Sequence, residues 1–326
     1  MFLCRAFILY NFSSNYELSK RKTMRLLLTF LLVFFVTVST QAQSIKNSIE
    51  GSDFWSAWMI KGSTKAWIVD GIPERVRLWD FDKNEVILSK ELKANPKDIN
   101  VLSDGSLAYI SHNVKNEYIV LGQDGSQSSK KFSQNSPSYY IHADGKYFFG
   151  STFEGFFTYT IKDKKITMSK LNESITGYSS RFYNTNLPNV FFRSAKDIYQ
   201  KIEIGEEGEL SSNRALDKNT FLMNDTRDEV LLISPSTFRY YELPNMEVKS
   251  TDIIKEPFEY TSAVYDSNNS LLYYTAESSI TKYDLNSQKS TNSISTGADD
   301  LRFEDRQGNI AIAFSDSTGK FYAVQL

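Results

Sequence analysis

Cysteine is almost absent from these 326 residues. The single one, Cys4, lies at the extreme N-terminus, which excludes a disulfide framework and a thiolate metal cluster. Histidine is nearly as scarce: His112 and His142 are too few to build a histidine zinc site. The 15 glycines form no phosphate-cradling loop, and the strained nucleophile motif Gly-x-Ser-x-Gly does not occur. A formal net charge of −2, with no basic tract beyond the N-terminal region, removes the usual electrostatic case for nucleic acid. After residue 42 no segment sustains a helical period of apolar residues.

What the chain does have is aromatic residues, 23 Phe and 19 Tyr, which suit strands better than helices. It also opens with an address. Leu26 to Val36 reads LLLTFLLVFFV, preceded by Lys20-Arg21-Lys22 and Arg25 and followed by small and polar residues up to Ala42. Basic, apolar, then small is the pattern of a secretory signal peptide, and the run falls short of the roughly 20 apolar residues of a membrane span. The sequence therefore predicts that residues 1–23 lie upstream of a true start at Met24. Residues 24–42 are read as the signal peptide, and 43–326 as one domain. Cys4 precedes the apolar run, so no lipobox cysteine follows it. Removing residues 1–42 takes away five basic residues and one acid and leaves a net charge of −6. The expectation is a periplasmic or extracellular monomer with no transmembrane segment after signal removal.

The remaining chain repeats. A polar turn, four to six apolar or aromatic residues and a small or polar closing residue recur as Lys65-AWIV-Asp70, Ser106-LAYI-Ser111, Lys146-YFFG-Ser151, Asn189-VFFR-Ser194, Glu229-VLLI-Ser234, Ser270-LLYY-Thr275 and Asn309-IAIAF-Ser315. The closing residues are spaced by 41, 40, 43, 40, 41 and 40 positions. A second, alternating segment follows each, as in Leu78-Trp79-Asp80-Phe81 and Tyr283-Asp284-Leu285, and ends in turns such as Asp82-Lys83-Asn84 and Asn286-Ser287-Gln288. Alternation bounded by Asp, Asn, Gly and Pro marks short antiparallel strands joined by hairpins. Four strands per repeat at 40–45 residues predict an all-β, seven-bladed β-propeller. In the second repeat the strands fall at Asp98–Ser103, Leu107–Ser111, Glu117–Gly122 and Ser126–Phe132. After Ser315 only one strand remains, Lys320–Leu326. Ser44–Glu50, at the front of the domain, is then expected to complete the seventh blade and close the ring.

In period and strand pattern, residues 44–326 resemble the seven-bladed β-propeller superfamily, of the WD40-like or YVTN-like kind found in exported bacterial proteins. Trp79-Asp80 is the one WD dipeptide. The resemblance implies inner strands around a central channel, with the loops leading into them forming one mouth. Those positions are Trp55, Asp98, Tyr139, Tyr178, Asn219, Tyr260 and Asp300, a ring of aromatic and polar groups suited to stacking on a sugar or holding a peptide. The leading expectation is an exported, non-catalytic module that binds a protein, peptide or glycan there, with no catalytic residue, metal or cofactor assigned. The alternative is a propeller hydrolase or lyase, lactonase- or glycosidase-like, using carboxylates among Asp98, Glu154, Glu259, Asp299 and Asp300. His112 and His142 read as ordinary surface or turn residues at opposite ends of the blades. Asp104, Asp144, Asp266 and Asp305 read as hairpin-turn aspartates. Asp80 to Glu85 superficially matches a calcium loop, but Glu85 stands where such a loop needs glycine.

Overall fold

The computed structural model describes residues 43–51, 56–71, 74–92, 96–112, 116–132, 138–162, 165–169, 172, 175, 181–187, 189–194, 198–205, 209–217, 219–224, 226–243, 245–255, 259–276, 278–298 and 300–326. Gln43–Leu326 form one compact unit. Among the described residues its regular elements are strands, and no helix is long and apolar enough to cross a membrane.

The first strand, β1 (Ser44–Glu50), stands apart from the strands that follow it. Blade 1 comprises β2 (Ser56–Met59), β3 (Lys65–Asp70), β4 (Arg75–Asp80) and β5 (Glu85–Glu91). Blade 2 comprises β6 (Pro96–Val101), β7 (Leu107–His112), β8 (Asn116–Leu121) and β9 (Gln127–Phe132). Blade 3 has β10 (Ser138–Ile141), β11 (Tyr147–Ser151), β12 (Phe156–Lys162) and β13 (Lys165–Met168). Blade 4 has β14 (Arg181–Asn184), β15 (Val190–Ser194), β16 (Ile198–Ile204) and β17 (Leu210–Asp217). Blade 5 follows with β18 (Thr220–Met223), β19 (Glu229–Ile233), β20 (Thr237–Glu242) and β21 (Glu247–Ile253). Blade 6 contains β22 (Ser262–Asp266), β23 (Leu271–Ala276), β24 (Ser279–Asp284) and β25 (Lys289–Ser295). Blade 7 contributes β26 (Arg302–Gln307), β27 (Ile310–Ser315) and β28 (Lys320–Gln325), and β1 pairs antiparallel with β28 as its fourth strand. The chain is thus a seven-bladed β-propeller of four-stranded antiparallel sheets.

The second strands explain the apolar runs in the sequence. Each is sandwiched between two neighbouring blades, so both of its faces are buried and strict alternation disappears. β15, β19 and all but the first residue of β3 are buried along their length. Outer strands face water and read as polar: β25 shows six exposed positions out of seven. The core is accordingly divided into seven clusters, one in each gap between adjacent blades. The cluster between blades 7 and 1 joins Phe314 and Phe321 to Trp79 and Ile68, with Ile49 of β1 packed against it.

Turn chemistry repeats as well. Asn84, Met246 and Gln288 occupy equivalent places between third and outer strands and share positive φ angles of 53°, 56° and 53°. In blades 1 and 6 an aspartate at the turn start accepts the next backbone N–H groups: Asp80 those of Asp82 and Lys83, Asp284 those of Asn286 and Ser287. The segment that superficially matches a calcium loop is therefore a hairpin turn, with Asp80 also held by the Thr64 hydroxyl at 3.1 Å. Gly105, at φ 82°, stands where a Cβ would lie 2.9 Å from Ile60, while its carbonyl accepts the Trp67 indole N–H of the preceding blade at 2.9 Å.

The expected strands of blade 2 shift by one residue in the outer three and by two in the inner one. Its inner strand begins at Pro96, two residues before Asp98, because a bulge between Lys97 and Ile99 places Asp98 at φ 53° inside the strand.

Candidate functional site: the central channel

All seven inner strands line one channel of about 740 Å³. They run in the same sense, so their first residues gather at one end, here called the upper mouth, and the hairpins that follow them gather at the other. Ser56, Asp98, Ser138, Thr220 and Ser262 lie at or near the starts of five of these strands, and all five line the channel. Glu304, on β26, receives the Ser56 hydroxyl at 3.4 Å.

The seven positions expected to form the mouth divide into three groups. Asp98, Asn219 and Tyr260 line the channel. The Tyr260 hydroxyl donates to Thr220 Oγ1 at 2.5 Å, and burial raises its pKa. Trp55 and Tyr178 lie outside the described residues. Tyr139 also lines the channel, and Asp300 is a correction. Tyr139 sits on β10 at the channel wall, but with 1% of its surface exposed its ring belongs to the gap between blades 2 and 3. There it packs edge-on against Phe132 and Tyr159, and its hydroxyl accepts from Asn116. It has no face left for stacking on a ligand.

Asp300 is absent from the channel wall and holds a turn instead, accepting the Ser315 hydroxyl at 2.7 Å, the Ser317 hydroxyl at 2.9 Å and the Ser317 N–H at 2.7 Å. Burial opposes its ionisation, but these hydrogen bonds outweigh burial and keep its pKa below the usual carboxylate value. A depressed folded-state pKa stabilises the fold above the unfolded-state value, and the contribution is lost as pH falls through the folded value. Asp300→Asn should therefore lower the urea midpoint at pH 7. The gap from the parent should narrow below about pH 4, where an unfolded aspartate protonates. A gap constant down to pH 2 would refute that assignment.

Of the other carboxylates considered for catalysis, Glu154 and Glu259 are exposed and absent from the channel wall, and Asp299 lies outside the described residues. Asp305 was expected in a hairpin turn. It sits instead within β26, where a bulge between Phe303 and Asp305 turns it toward the channel, and it accepts the Met59 N–H at 2.8 Å. Arg227, at φ 59° in the turn after β18, reaches to 3.6 Å from it. Sequence reading missed both of these, and it missed Asn100, Tyr140 and Asn184. Asn184 donates to Asn100 at 3.1 Å, Asn100 donates to the Ile141 carbonyl at 2.7 Å, and the Tyr140 hydroxyl donates to Asn184. The available signal was an asparagine near the downstream end of two inner strands, in Ile99-Asn100-Val101 and Phe182-Tyr183-Asn184.

His112 ends β7, and nothing further of it is described. His142 is a turn residue as expected but not a surface one. It is 4% exposed and lies 2.9 Å from the Asp144 carboxylate. Burial opposes ionisation of Asp144, yet hydrogen bonding with His142 and the Lys146 N–H brings its pKa below the ordinary value.

No family model matches the chain, and no curated protein matches it in sequence. Among solved structures it is similar to the β-propeller domain of Cps50 (Swd1) from Myceliophteria thermophila. The TM-score is 0.63 and the identity 11%, over 87% of this chain and 100% of that one. At that identity the likeness is one of fold.

Proposed function

We propose that this chain is an exported, non-catalytic binding module that recognises a protein, peptide or glycan at the upper mouth of its channel. The supporting observation is the channel itself. Hydroxyl, amide and carboxylate groups from several blades converge beside the aromatic rings of Trp58, Phe182, Tyr183 and Tyr260. Concave sites of this size, with a few convergent polar groups among apolar ones, are where ligands bind. Propeller domains often serve as protein-interaction modules, in keeping with this reading. Export is supported by the sequence pattern of residues 20–42.

The test is retention of a partner from envelope extract, or of glycans from a printed panel, by the tagged chain and by an Asn219→Ala/Tyr260→Ala variant. Loss of the captured species in the variant is expected, and equal retention by both would refute the mouth as the site. A second reading, a hydrolase or lyase, draws on Asp98, Glu304 and Asp305 lining the same channel. It predicts turnover that Asp98→Ala abolishes, and a binding module predicts none.

A further inference from the structure

Side chains of blades that are not adjacent can touch only near the axis of the ring, where the radius is smallest. Among the described residues two such contacts occur, both at the hairpin end. Asn184 of blade 4 reaches Asn100 of blade 2 at 3.1 Å across the edge of blade 3, whose Tyr140 joins them. Arg227 of blade 5 reaches Asp305 of blade 7 at 3.6 Å across blade 6. The remaining blades are tied in by their neighbours. Asp305 takes the Met59 N–H of blade 1, and Arg306 of blade 7 pairs with Asp266 of blade 6 at 3.2 Å. The two halves meet at Arg227, whose carbonyl accepts the Asn186 N–H of blade 4 at 3.0 Å. Arg227 also acts electrostatically on Tyr140. Its left-handed backbone is a strained state for a residue with a side chain, and such strain persists only where surrounding contacts fix it.

We infer that this belt closes the lower end of the channel, making it a blind cup that takes the end of a chain or a projecting side chain rather than a threaded segment. The inference deepens the proposed binding function and rests on the same channel. A partner approaches from the upper mouth and inserts tip first. A long polymer is recognised at its terminus or through one projecting group, because the cup has no second opening through which the chain could leave.

The test reads access rather than binding, so it can fail while partner capture succeeds, and the reverse. In a full-length Cys4→Ser background the chain has no thiol. Single cysteines are placed at Thr220→Cys and Met223→Cys, the two ends of β18, both of which line the channel. A polyethylene-glycol maleimide should modify Thr220→Cys at least about tenfold faster, in the way protected sites react through rare opening. Adding Arg227→Ala should raise the Met223→Cys rate by about tenfold, by removing that protection, and leave Thr220→Cys unchanged. Equal rates with the belt intact, or a Met223→Cys rate that ignores its loss, would overturn the inference. If Arg227→Ala unfolds the chain, both cysteines will react at the rate seen in urea. Asp305→Asn, which keeps an acceptor for the Met59 N–H, then decides on the same criterion.

Discussion

A chain lacking Ser44–Glu50 should lose on the order of 5 kcal/mol of stability, taking about 1 kcal/mol for each hydrogen bond of the missing ladder. That is comparable with the whole stability of many domains. β1 pairs with β28 from Ser44 opposite Gln325 to Glu50 opposite Lys320. It also staples blade 7 to blade 1: Asn47 donates to the Phe81 carbonyl at 2.6 Å, and Lys46 meets Asp82 at 2.5 Å. Ile49 packs against the cluster that holds Phe314 and Phe321. Without β1, β28 becomes an open edge and that apolar cluster meets water. The expected result is a sharply lower urea midpoint with increased binding of a hydrophobic dye, both restored by a synthetic peptide of residues 44–50. An unchanged midpoint would show that the ring does not depend on this strand.

Phe148→Ala should cost about 3–5 kcal/mol, as large-to-small changes in a rigid aromatic core do. Phe148 is fully buried on β11. Its ring stacks on Tyr159 at 4.4 Å between centroids and on Tyr118 at 5.4 Å, with Phe132 at 5.0 Å. These partners come from different strands of blades 2 and 3, and their planar rings fill a vacated volume poorly. Val248→Ala, on outer strand β21 with half its surface exposed, is the control and should change stability by no more than about 0.5 kcal/mol. Comparable shifts in the two urea midpoints would contradict the division into core and surface described above.

The architecture was readable because burial on both faces writes itself into sequence. LAYI and VLLI are apolar without alternation since each lies between two blades, and their even spacing is the blade period. Ring closure was readable from the count of strands, since the seventh repeat supplies three and Ser44–Glu50 a fourth. The channel was less legible, because inner strands present alternate residues to opposite blade faces and a bulge reverses the order. Tyr139 and Tyr260 hold similar places in the repeat. Tyr139 lies within β10 and opposite Gly150, with its ring in a blade gap, whereas Tyr260 precedes β22 and stays at the channel. Asp305 looked like a turn residue until the bulge beside Phe303 put it in the wall. Arg227 owes its reach to a left-handed backbone that no pattern of polarity announces.

The contacts between second-neighbour blades also bear on how the molecule comes apart. In a linear array of repeats each unit feels only the units flanking it, so ends fray and partly melted species accumulate. Here there is no end to fray. Blade 6 cannot tilt outward without loosening the Arg227–Asp305 pair that spans it, and blade 3 is bracketed in the same way by Asn100 and Asn184. The blades are keyed like the stones of an arch, and the expected result is one cooperative unfolding transition rather than blade-by-blade melting.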